Sequence, residues 1–520
     1  MGAIRKWRSV DPFSSSAKTL TEIRDTVETA DIGRRSVQSG AIQVASQAIL
    51  LVMSIISGLA MARLLAPADF GVMAMASTLT AFVATFRGFG ISMAIVQAEH
   101  VVDDDLHQLF RVGMRYSLWL GAGMLAAAPL LAYVYDEPRL LAVIVAVTAS
   151  SVAMSLAELP EALATRALRF TALRRVEVGS IAVGMAIGLA AAWMGAGYWA
   201  LVAQNVATGF FRAIFGWQLV TWRPKRRASH VESIAAHSPA THAMLVFARR
   251  YAATNLVTFA GQHVDRVTVG IGSGTYAMGL YDLAYRWGHY PVWQLYPPLL
   301  NVAVVGLSRS RDNEGLYRHY WRTALLLILS AMLPALTFFA IEPRATILTL
   351  LGSGWTESVE VFRFVTIGGI ALALSRHTRW LFLSEGRSVE QLRMSITQLV
   401  VTAIVVAVGA RWGLIGVAVG YAASRWLLLL PELALAFDQS PITWSDYRSV
   451  IWRPTVASVL AGAALWGLNA QLPDAVAQRL MVASLVFSAS YVLTWFVLPG
   501  GRGAARELVG VARRMRSAPS

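Results

Sequence analysis

The chain has 520 residues, of which 56% are hydrophobic and only 14% are charged, and its mean hydropathy is +0.54. This composition excludes a water-soluble globular domain and predicts a protein that crosses a bilayer many times. The formal net charge of +15 does not indicate nucleic-acid binding, because the basic residues are spread over many short polar segments. The chain contains no cysteine, which excludes thiolate metal sites and disulfides.

The apolar segments are the predicted structural elements, each long enough to cross a hydrocarbon layer of about 30 Å as a helix. The first six cover residues 39–62, 71–92, 112–135, 139–160, 176–195 and 197–218. The next eight cover residues 241–262, 276–308, 320–341, 360–383, 391–410, 413–437, 454–471 and 479–499. Continuous apolar character favours packed helices over a barrel, whose strands would alternate. The sequence therefore predicts an all-α polytopic membrane protein with about 14 transmembrane helices.

The eighth segment differs from a regular membrane helix. It contains Gly288, Pro291 and the pair Pro297-Pro298, and proline removes a backbone hydrogen-bond donor. We expect a kink or break at membrane depth, which is tolerated where it faces a cavity. The segment also holds six aromatic residues, Tyr281, Tyr285, Trp287, Tyr290, Trp293 and Tyr296. Two interpretations stay open for them, stacking on the sugars of a ligand or ordinary packing with an interfacial belt.

The distribution of basic residues predicts the orientation of the segments. With the amino terminus inside, the inner connections hold 30 lysines and arginines and the outer connections hold six. The six outer residues are Arg63, Arg139, Arg266, Arg344, Arg363 and Arg411. Positive charge stays on the cytoplasmic side during insertion. We therefore expect a multi-pass membrane protein with both termini in the cytoplasm.

Two short sequences resemble each other and suggest a duplicated unit. ARLLAPADFGVMAMA at 62–76 and YAMGLYDLAYR at 276–286 both restart an apolar helix at a glycine. This alignment pairs Gly71 with Gly279. Repeats of this kind in transport proteins typically place the substrate site at the interface between the halves.

The predicted segments divide into groups of six, six and two, and glycine-rich hairpins at 194–200 and 412–418 open the sixth and twelfth. The expected organisation is a cytoplasmic N-terminal segment (1–38), a first six-helix lobe (39–218), a cytoplasmic linker (219–240), a second six-helix lobe (241–437), a second cytoplasmic linker (438–453), two accessory transmembrane helices (454–499) and a basic cytoplasmic tail (500–520).

Several motifs resemble one known family. They are ARLLAPADFG at 62–71, RGFGISMAIVQ at 87–97, ATRALRF at 164–170, MGAGYWALVAQ at 194–204 and WRPKRR at 222–227. Together they resemble Wzx-type polysaccharide flippases, in the branch that includes colanic acid exporters, of the multidrug/oligosaccharidyl-lipid/polysaccharide flippase superfamily. The resemblance implies two six-helix lobes in a V with two accessory helices. It also implies that the protein flips an undecaprenyl-pyrophosphate-linked oligosaccharide from the inner to the outer leaflet by alternating access.

Arginines inside the predicted spans are the candidate substrate ligands. An arginine at the bilayer centre costs roughly 2.5–3.5 kcal/mol even on the insertion scale, so its presence requires a reason. A pyrophosphate supplies one, because the planar guanidinium matches phosphate oxygens and stays charged. The candidate substrate-binding residues are Arg87, Arg249, Arg250, Arg286, Arg376, Arg379 and Arg425, together with Asp282. Arginines outnumber carboxylates in the spans, which favours an anionic cargo over a cationic drug.

Some of these residues have a second interpretation. Asp282 and Arg286 are spaced four apart with the acid first, the favourable order for a salt bridge, so a structural bridge and a substrate contact both stay open. Arg376 and Arg379 share a helix face and repel each other unless an anion or water lies between them.

Position within a span bears on the interpretation of other arginines. Arg249 and Arg250 are adjacent and point about 100° apart on a helix, so only one can face a cavity squarely. Four arginines lie near the ends of their spans, and side chains that reach the membrane interface are the alternative interpretation for them: Arg87, Arg212, Arg379 and Arg479.

No cofactor, metal or catalytic residue is expected, and the protein is not predicted to be an enzyme. The sequence lacks the nucleotide-binding pattern G-x-x-x-x-G-K-[ST]. His237, His242, His263 and His289 do not have the spacing of metal ligands. The expected partners are a lipid-linked oligosaccharide, membrane lipids, and a polysaccharide polymerase with its export machinery, with no nucleic acid. We expect a monomer.

Three alternatives stay open. A lipid II flippase or a multidrug/cation antiporter of the same superfamily would share the fold. A membrane-embedded polysaccharide polymerase or ligase would need catalytic residues outside the membrane. The largest predicted outer segments, 263–275 and 342–359, contain few polar candidates for that role.

Overall fold

The computed structural model describes residues 29–86, 95, 103–167, 169–224 and 239–503, and every regular element in this part of the chain is helical. Ten stretches within it are long and apolar enough to cross a membrane. Two of these stretches, 358–385 and 389–437, contain two helices each. The prediction of an all-α polytopic membrane protein is confirmed.

The helices follow the predicted segments closely. The first half contains α1 (Thr29–Leu64), α2 (Pro67–Phe86), α3 (Asp103–Val134), α4 (Arg139–Arg166), α5 (Phe170–Trp193) and α6 (Tyr198–Trp217). The second half contains α7 (Pro239–Gly288), α8 (Tyr290–Arg309), α9 (Glu314–Ile341), α10 (Pro343–Leu350), α11 (Ser358–Ser375), α12 (Thr378–Glu385), α13 (Ser388–Gly409) and α14 (Gly413–Phe437). The accessory helices are α15 (Trp444–Gly467) and α16 (Val476–Val497).

The break predicted in the eighth segment is confirmed. The 50-residue helix α7 also has a break just before this segment, at Gly274, whose φ of 75° and ψ of −174° are a backbone conformation that favours glycine. The helix ends at Gly288, and α8 begins at Tyr290 with Pro291 in its first turn. Proline suits this position because a first-turn N–H has no partner within the helix. The eighth segment is therefore two helices that meet at His289.

A second break was not predicted. The segment expected to run from 360 to 383 is divided into α11 and α12 at Arg376 and His377. The Tyr447 hydroxyl donates to the Leu374 carbonyl at 3.0 Å, and the Tyr296 hydroxyl donates to the Arg376 carbonyl at 3.1 Å. A broken membrane helix is tolerated where other groups satisfy its carbonyls, and two tyrosines from distant helices do so here.

The two similar sequences pack against each other, α2 against α7. A Cβ at Gly71 would lie 1.7 Å from the Thr275 carbonyl oxygen, and a Cβ at Gly279 would lie 1.8 Å from the Pro67 carbonyl oxygen. In each case a glycine of one half receives a carbonyl of the other half. Gly71 and Gly279 are 208 residues apart, and so are Pro67 and Thr275. The contact therefore has the local two-fold relation that a duplication produces.

The accessory helices are attached to the second half, α15 against α9 and α16 against α10 and α15. Arg479 of α16 donates from Nε and Nη2 to the Glu342 carboxylate at 2.9 and 2.8 Å. Arg322 of α9 pairs with Asp446 in the first turn of α15. Arg479 therefore has a carboxylate partner in Glu342, at the start of α10.

Arg212 is a second paired arginine. Its Nε and Nη2 donate to the Glu161 carboxylate at 2.7 and 3.0 Å, which joins α6 to α4. The structure therefore supplies a carboxylate partner for a side chain that we expected at the membrane interface. An acid 51 residues away cannot be identified as a partner from helical spacing.

Candidate functional site

Three of the predicted substrate ligands lie beyond the described side chains. Arg87 is outside the residues that the structure describes, and Arg249 and Arg250 belong to α7 but their side chains are not described. Their role in substrate binding stays a prediction. The other five predicted residues lie at or beside two cavities.

A cavity of about 330 Å³ lies between the two halves, and we call it the interhalf cavity. Helices α1, α2, α5 and α6 line one side of it, and α7 and α8 line the other. Its polar side chains are Gln47, Ser54, Ser57, Gln204, Arg286 and Gln294. Within this set the Gln204 amide donates to the Ser57 hydroxyl at 3.2 Å. The interhalf cavity therefore joins amides and hydroxyls of the first half to one cation of the second.

Asp282 orients that cation. Arg286 Nη2 donates to Asp282 Oδ2 at 2.9 Å, while 59% of the Arg286 side chain stays exposed at the cavity. The spacing of four residues thus forms the salt bridge that the sequence allowed. Because the guanidinium has five donors, one bond to Asp282 leaves others directed at a ligand.

Sequence reasoning missed two charged residues behind this pair. Arg266 Nε lies 3.7 Å from Asp282 Oδ1, and the Arg266 guanidinium lies 4.2 Å from the centroid of the Tyr285 ring. Asp265 is 1% exposed and accepts a 2.7 Å hydrogen bond from the Tyr281 hydroxyl.

The sequence placed Asp265 and Arg266 in an outer segment, 263–275, and the structure shows that α7 continues through this segment to the break at Gly274. The charged residues ended the predicted apolar segment before the helix itself ends. The valines at 264, 267 and 269 keep a helical spacing and were the available signal.

The other cavity lies within the second half, and we call it the arginine cavity. It has a volume of about 90 Å³ and is lined by Arg376 at the α11–α12 break, Arg379 of α12 and Arg425 of α14. The fold therefore brings three of the predicted ligands together at one cavity, although the helix break separates Arg376 from the helix that carries Arg379. Its walls also carry Glu432 and Gln398.

The arginines of the arginine cavity form no salt bridge with Glu432, the acid that lines it. The two Glu432 oxygens accept hydrogen bonds from Thr378 Oγ1 at 2.7 Å and from Gln398 Nε2 at 3.0 Å. Among the described side chains, no carboxylate oxygen lies within the 4.0 Å salt-bridge distance of any of the three guanidinium groups. The Nε atoms of all three arginines are buried without a hydrogen-bond partner in the described part of the chain.

Aromatic rings hold two of these arginines. The Arg376 guanidinium lies 5.0 Å from the Tyr296 ring centroid and 5.4 Å from that of Trp293, and Arg425 lies 5.2 Å from Tyr421. Tyr296 is 5% exposed and Trp293 is 41% exposed. For Tyr296 the packing interpretation is therefore supported, and Trp293 is the more accessible of the two rings.

We expect Asp282→Asn to destabilise the protein by roughly 3 kcal/mol, the lower end for a buried pair, because Arg266 and Arg286 would lose their shared acid. The measurement is the thermal unfolding temperature of the purified protein in detergent. Glu360→Gln is the matched control, since Glu360 pairs with Arg363 on an exposed surface and its loss should cost less than about 1 kcal/mol. Equal shifts for the two variants would contradict the neutralising role of Asp282.

A family model described as "Polysaccharide biosynthesis protein" matches residues 60–360, more than half of the chain. The chain belongs to this family. The match includes both interhalf glycines, the interhalf cavity's Arg286 and the α10 segment, and it ends at the start of α11. Arg376, Arg379 and Arg425 of this polysaccharide biosynthesis protein lie beyond the matched region.

Three relatives of this polysaccharide biosynthesis protein are informative. The succinoglycan biosynthesis transport protein ExoT of Rhizobium meliloti (strain 1021) is 24% identical over 88% of this chain and 92% of its own length. The lipopolysaccharide biosynthesis protein WzxC of Escherichia coli (strain K12) is 21% identical over 79% of this chain and 83% of its own. The match to the teichuronic acid biosynthesis protein TuaB of Bacillus subtilis (strain 168), 19% identical, spans only 63% of that protein. The resemblance to Wzx-type polysaccharide flippases is confirmed.

A solved structure shares the fold. The lipid II flippase MurJ in an inward closed conformation superposes with a TM-score of 0.66 and covers 88% of this chain and 98% of its own. The sequences are only 12% identical. The likeness therefore shows the transporter fold of this polysaccharide biosynthesis protein and says nothing about its cargo.

Proposed function

We propose that the protein flips an undecaprenyl-pyrophosphate-linked oligosaccharide repeat unit across the bacterial inner membrane by alternating access. The observation that carries the proposal is the interhalf cavity, which lies between the halves, has polar side chains from both of them and exposes the Arg286 guanidinium. Transporters with repeats bind their substrates at this interface. The relatives named for succinoglycan transport and lipopolysaccharide biosynthesis support a saccharide cargo.

The chemistry of the cavity suits such a headgroup. Amides of Gln47, Gln204 and Gln294 offer donors and acceptors to sugar hydroxyls, and Arg286 offers a charged fork to a phosphate. The lipid tail would remain in the bilayer while the polar group crosses through the cavity. Under this proposal Arg87, Arg249 and Arg250 add further positive charge along the route.

The same features weigh against the alternatives. A cation antiporter needs exposed carboxylates in its cavities, whereas Asp282 is paired with arginine and Glu432 is held by Thr378 and Gln398. A polymerase needs polar residues outside the membrane, and the predicted outer segment 263–275 is largely helix α7. A lipid II flippase shares the fold and is separated from the proposal only by its cargo.

The basic-residue distribution supports placing both termini in the cytoplasm, with a 30 to 6 excess on that side. We propose that the protein acts as a monomeric transporter without a catalytic centre. A polysaccharide polymerase would then receive its cargo on the outer side, and export machinery would follow.

We expect Arg286→Gln to reduce flipping at least tenfold, because it removes the described cation from the interhalf cavity while keeping a polar side chain of similar length. The measurement is the leaflet distribution of lipid-linked oligosaccharide in a deletion strain that carries each variant. Arg411→Gln is the control, because Arg411 is exposed on the turn before α14.

The expected result is inner-leaflet accumulation with Arg286→Gln and normal distribution with Arg411→Gln, at equal protein levels. Single unpolymerised units on the outer leaflet of the deletion strain would instead favour the polymerase. Normal flipping by Arg286→Gln would remove the interhalf cavity from the proposed route.

A further inference from the structure

The arginine cavity is lined by three arginines, whereas the interhalf cavity is lined by one. From this composition we infer that the arginine cavity is a separate binding site for a phosphate or pyrophosphate group, held by Arg376, Arg379 and Arg425. The inference rests on the chemistry of this cavity and does not require the interhalf cavity to be the transport route. The ligand is either a free inorganic anion or the pyrophosphate of a lipid carrier.

The charge balance among the residues that line the cavity favours an anion. Arginine stays protonated under all physiological conditions, so the cavity holds three positive charges against the single carboxyl group of Glu432. That carboxyl group is already hydrogen-bonded by Thr378 and Gln398. Uncompensated charges of one sign repel strongly in a medium of low dielectric. Water can satisfy the donors but does not neutralise the excess charge.

Each of the three arginines has a buried donor without a partner among the described residues, and aromatic rings hold two of the three guanidinium groups. The ring contacts of Arg376 with Tyr296 and Trp293, and of Arg425 with Tyr421, use the faces of the guanidinium groups. The N–H bonds lie in the guanidinium plane and stay available at its edges. The Nε atoms of the three arginines are buried and lack a hydrogen-bond partner among the described residues. This is a preorganised set of donors without an acceptor.

The cavity has room for a small anion. One water molecule needs about 10–15 Å³ of such space, so a cavity of about 90 Å³ admits a small oxyanion with a few waters. The planar guanidinium fork matches the oxygens of phosphate better than a spherical halide, which distinguishes the inferred ligand from chloride.

The first test uses the unmodified protein, so it does not depend on how a variant folds. The purified full-length protein in detergent is treated with an arginine-specific dicarbonyl reagent, with and without inorganic pyrophosphate, and the modified residues are mapped by mass spectrometry. We expect pyrophosphate to protect Arg376, Arg379 and Arg425 and to leave the exposed Arg411 reactive. The same treatment is repeated with undecaprenyl pyrophosphate. If neither ligand reduced the modification of the three cavity arginines, the inference would be overturned.

The second test measures affinity. Arg425→Gln and Arg376→Gln should each weaken pyrophosphate binding about 10- to 100-fold, the effect of losing hydrogen bonds to a charged group. Arg425→Lys should keep part of the affinity, and Arg411→Gln should keep all of it. Binding is measured by titration calorimetry with inorganic pyrophosphate, with undecaprenyl pyrophosphate and with chloride.

Comparing the affinities for these three ligands distinguishes a free anion from the lipid carrier as the source of the phosphate group. Tight binding of inorganic pyrophosphate that depends on Arg425 supports a site for a free anion. Binding of undecaprenyl pyrophosphate alone, again dependent on Arg425, supports a site that recognises the lipid carrier. Unchanged affinity in both glutamine variants, or an equal affinity for chloride, would overturn the inference. Arg286→Gln tests the flippase proposal independently, because Arg286 does not line this cavity.

Discussion

Replacing Gly71 with alanine should destabilise the protein more than an ordinary overpacked core substitution, which costs about 1–3 kcal/mol. The added Cβ would lie 1.7 Å from the Thr275 carbonyl oxygen, and a backbone atom cannot rotate away as a flexible side chain can. Gly279→Ala should have an equal effect, since its Cβ would lie 1.8 Å from the Pro67 carbonyl oxygen. Both changes force α2 and α7 apart at the contact between the halves. The measurements are the thermal unfolding temperature in detergent and the amount of folded protein in the membrane.

Gly123→Ala is the matched control for these substitutions. Gly123 is also a helical glycine, but a Cβ there would meet nothing within 4 Å, so we expect its unfolding temperature to equal or exceed that of the unmodified protein. If Gly71→Ala and Gly279→Ala unfolded at the same temperature as Gly123→Ala, the glycines would not be required for the contact between the halves.

Arg425→Ala should lower polymer export at least tenfold while the protein still inserts into the membrane. The change removes one of three cations from the arginine cavity and the cation–π contact with Tyr421. A hydrogen bond from Arg425 to an anionic ligand would contribute about 1.5–3 kcal/mol, so its loss is roughly a 10- to 100-fold effect. The measurement is exported polysaccharide per cell, normalised to the amount of protein in the membrane.

Arg411→Ala controls for the loss of a positive charge near the same helix, because Arg411 is exposed just before α14. Arg425→Lys separates charge from shape, and we expect it to export more than the alanine variant. Full export from Arg425→Ala at a matched protein level would show that the arginine cavity is dispensable for transport.

The helices could be predicted from the sequence because a membrane span needs a long apolar segment whatever its neighbours are. The break at His289 was also predictable, because the helix-breaking residues Gly288 and Pro291 lie next to it in the sequence. The break at Arg376 and His377 was not, because neither proline nor glycine lies there. Hydroxyls from other helices satisfy its carbonyls, and such tertiary partners are invisible in a local pattern.

The residues of the candidate site also divide into those that a local pattern predicts and those that only the tertiary structure identifies. Arg376, Arg379 and Arg425 could be identified because charge inside an apolar segment is costly, and the fold places all three at one cavity. Asp265 and Arg266 were missed because their charges resembled the end of a span. Their partners, Tyr281 and Asp282, are 16 residues further along the chain and approach them only after α7 bends at Gly274.

The accessory helices have a consequence for how motion could be observed. The pairs of Arg479 with Glu342 and of Arg322 with Asp446 fasten α16 and α15 to the second half. If one half rotates relative to the other, these two helices would move as a rigid body with the second half. A spectroscopic label on α16 paired with one on α3 would therefore follow the opening angle directly, without a probe inside either cavity.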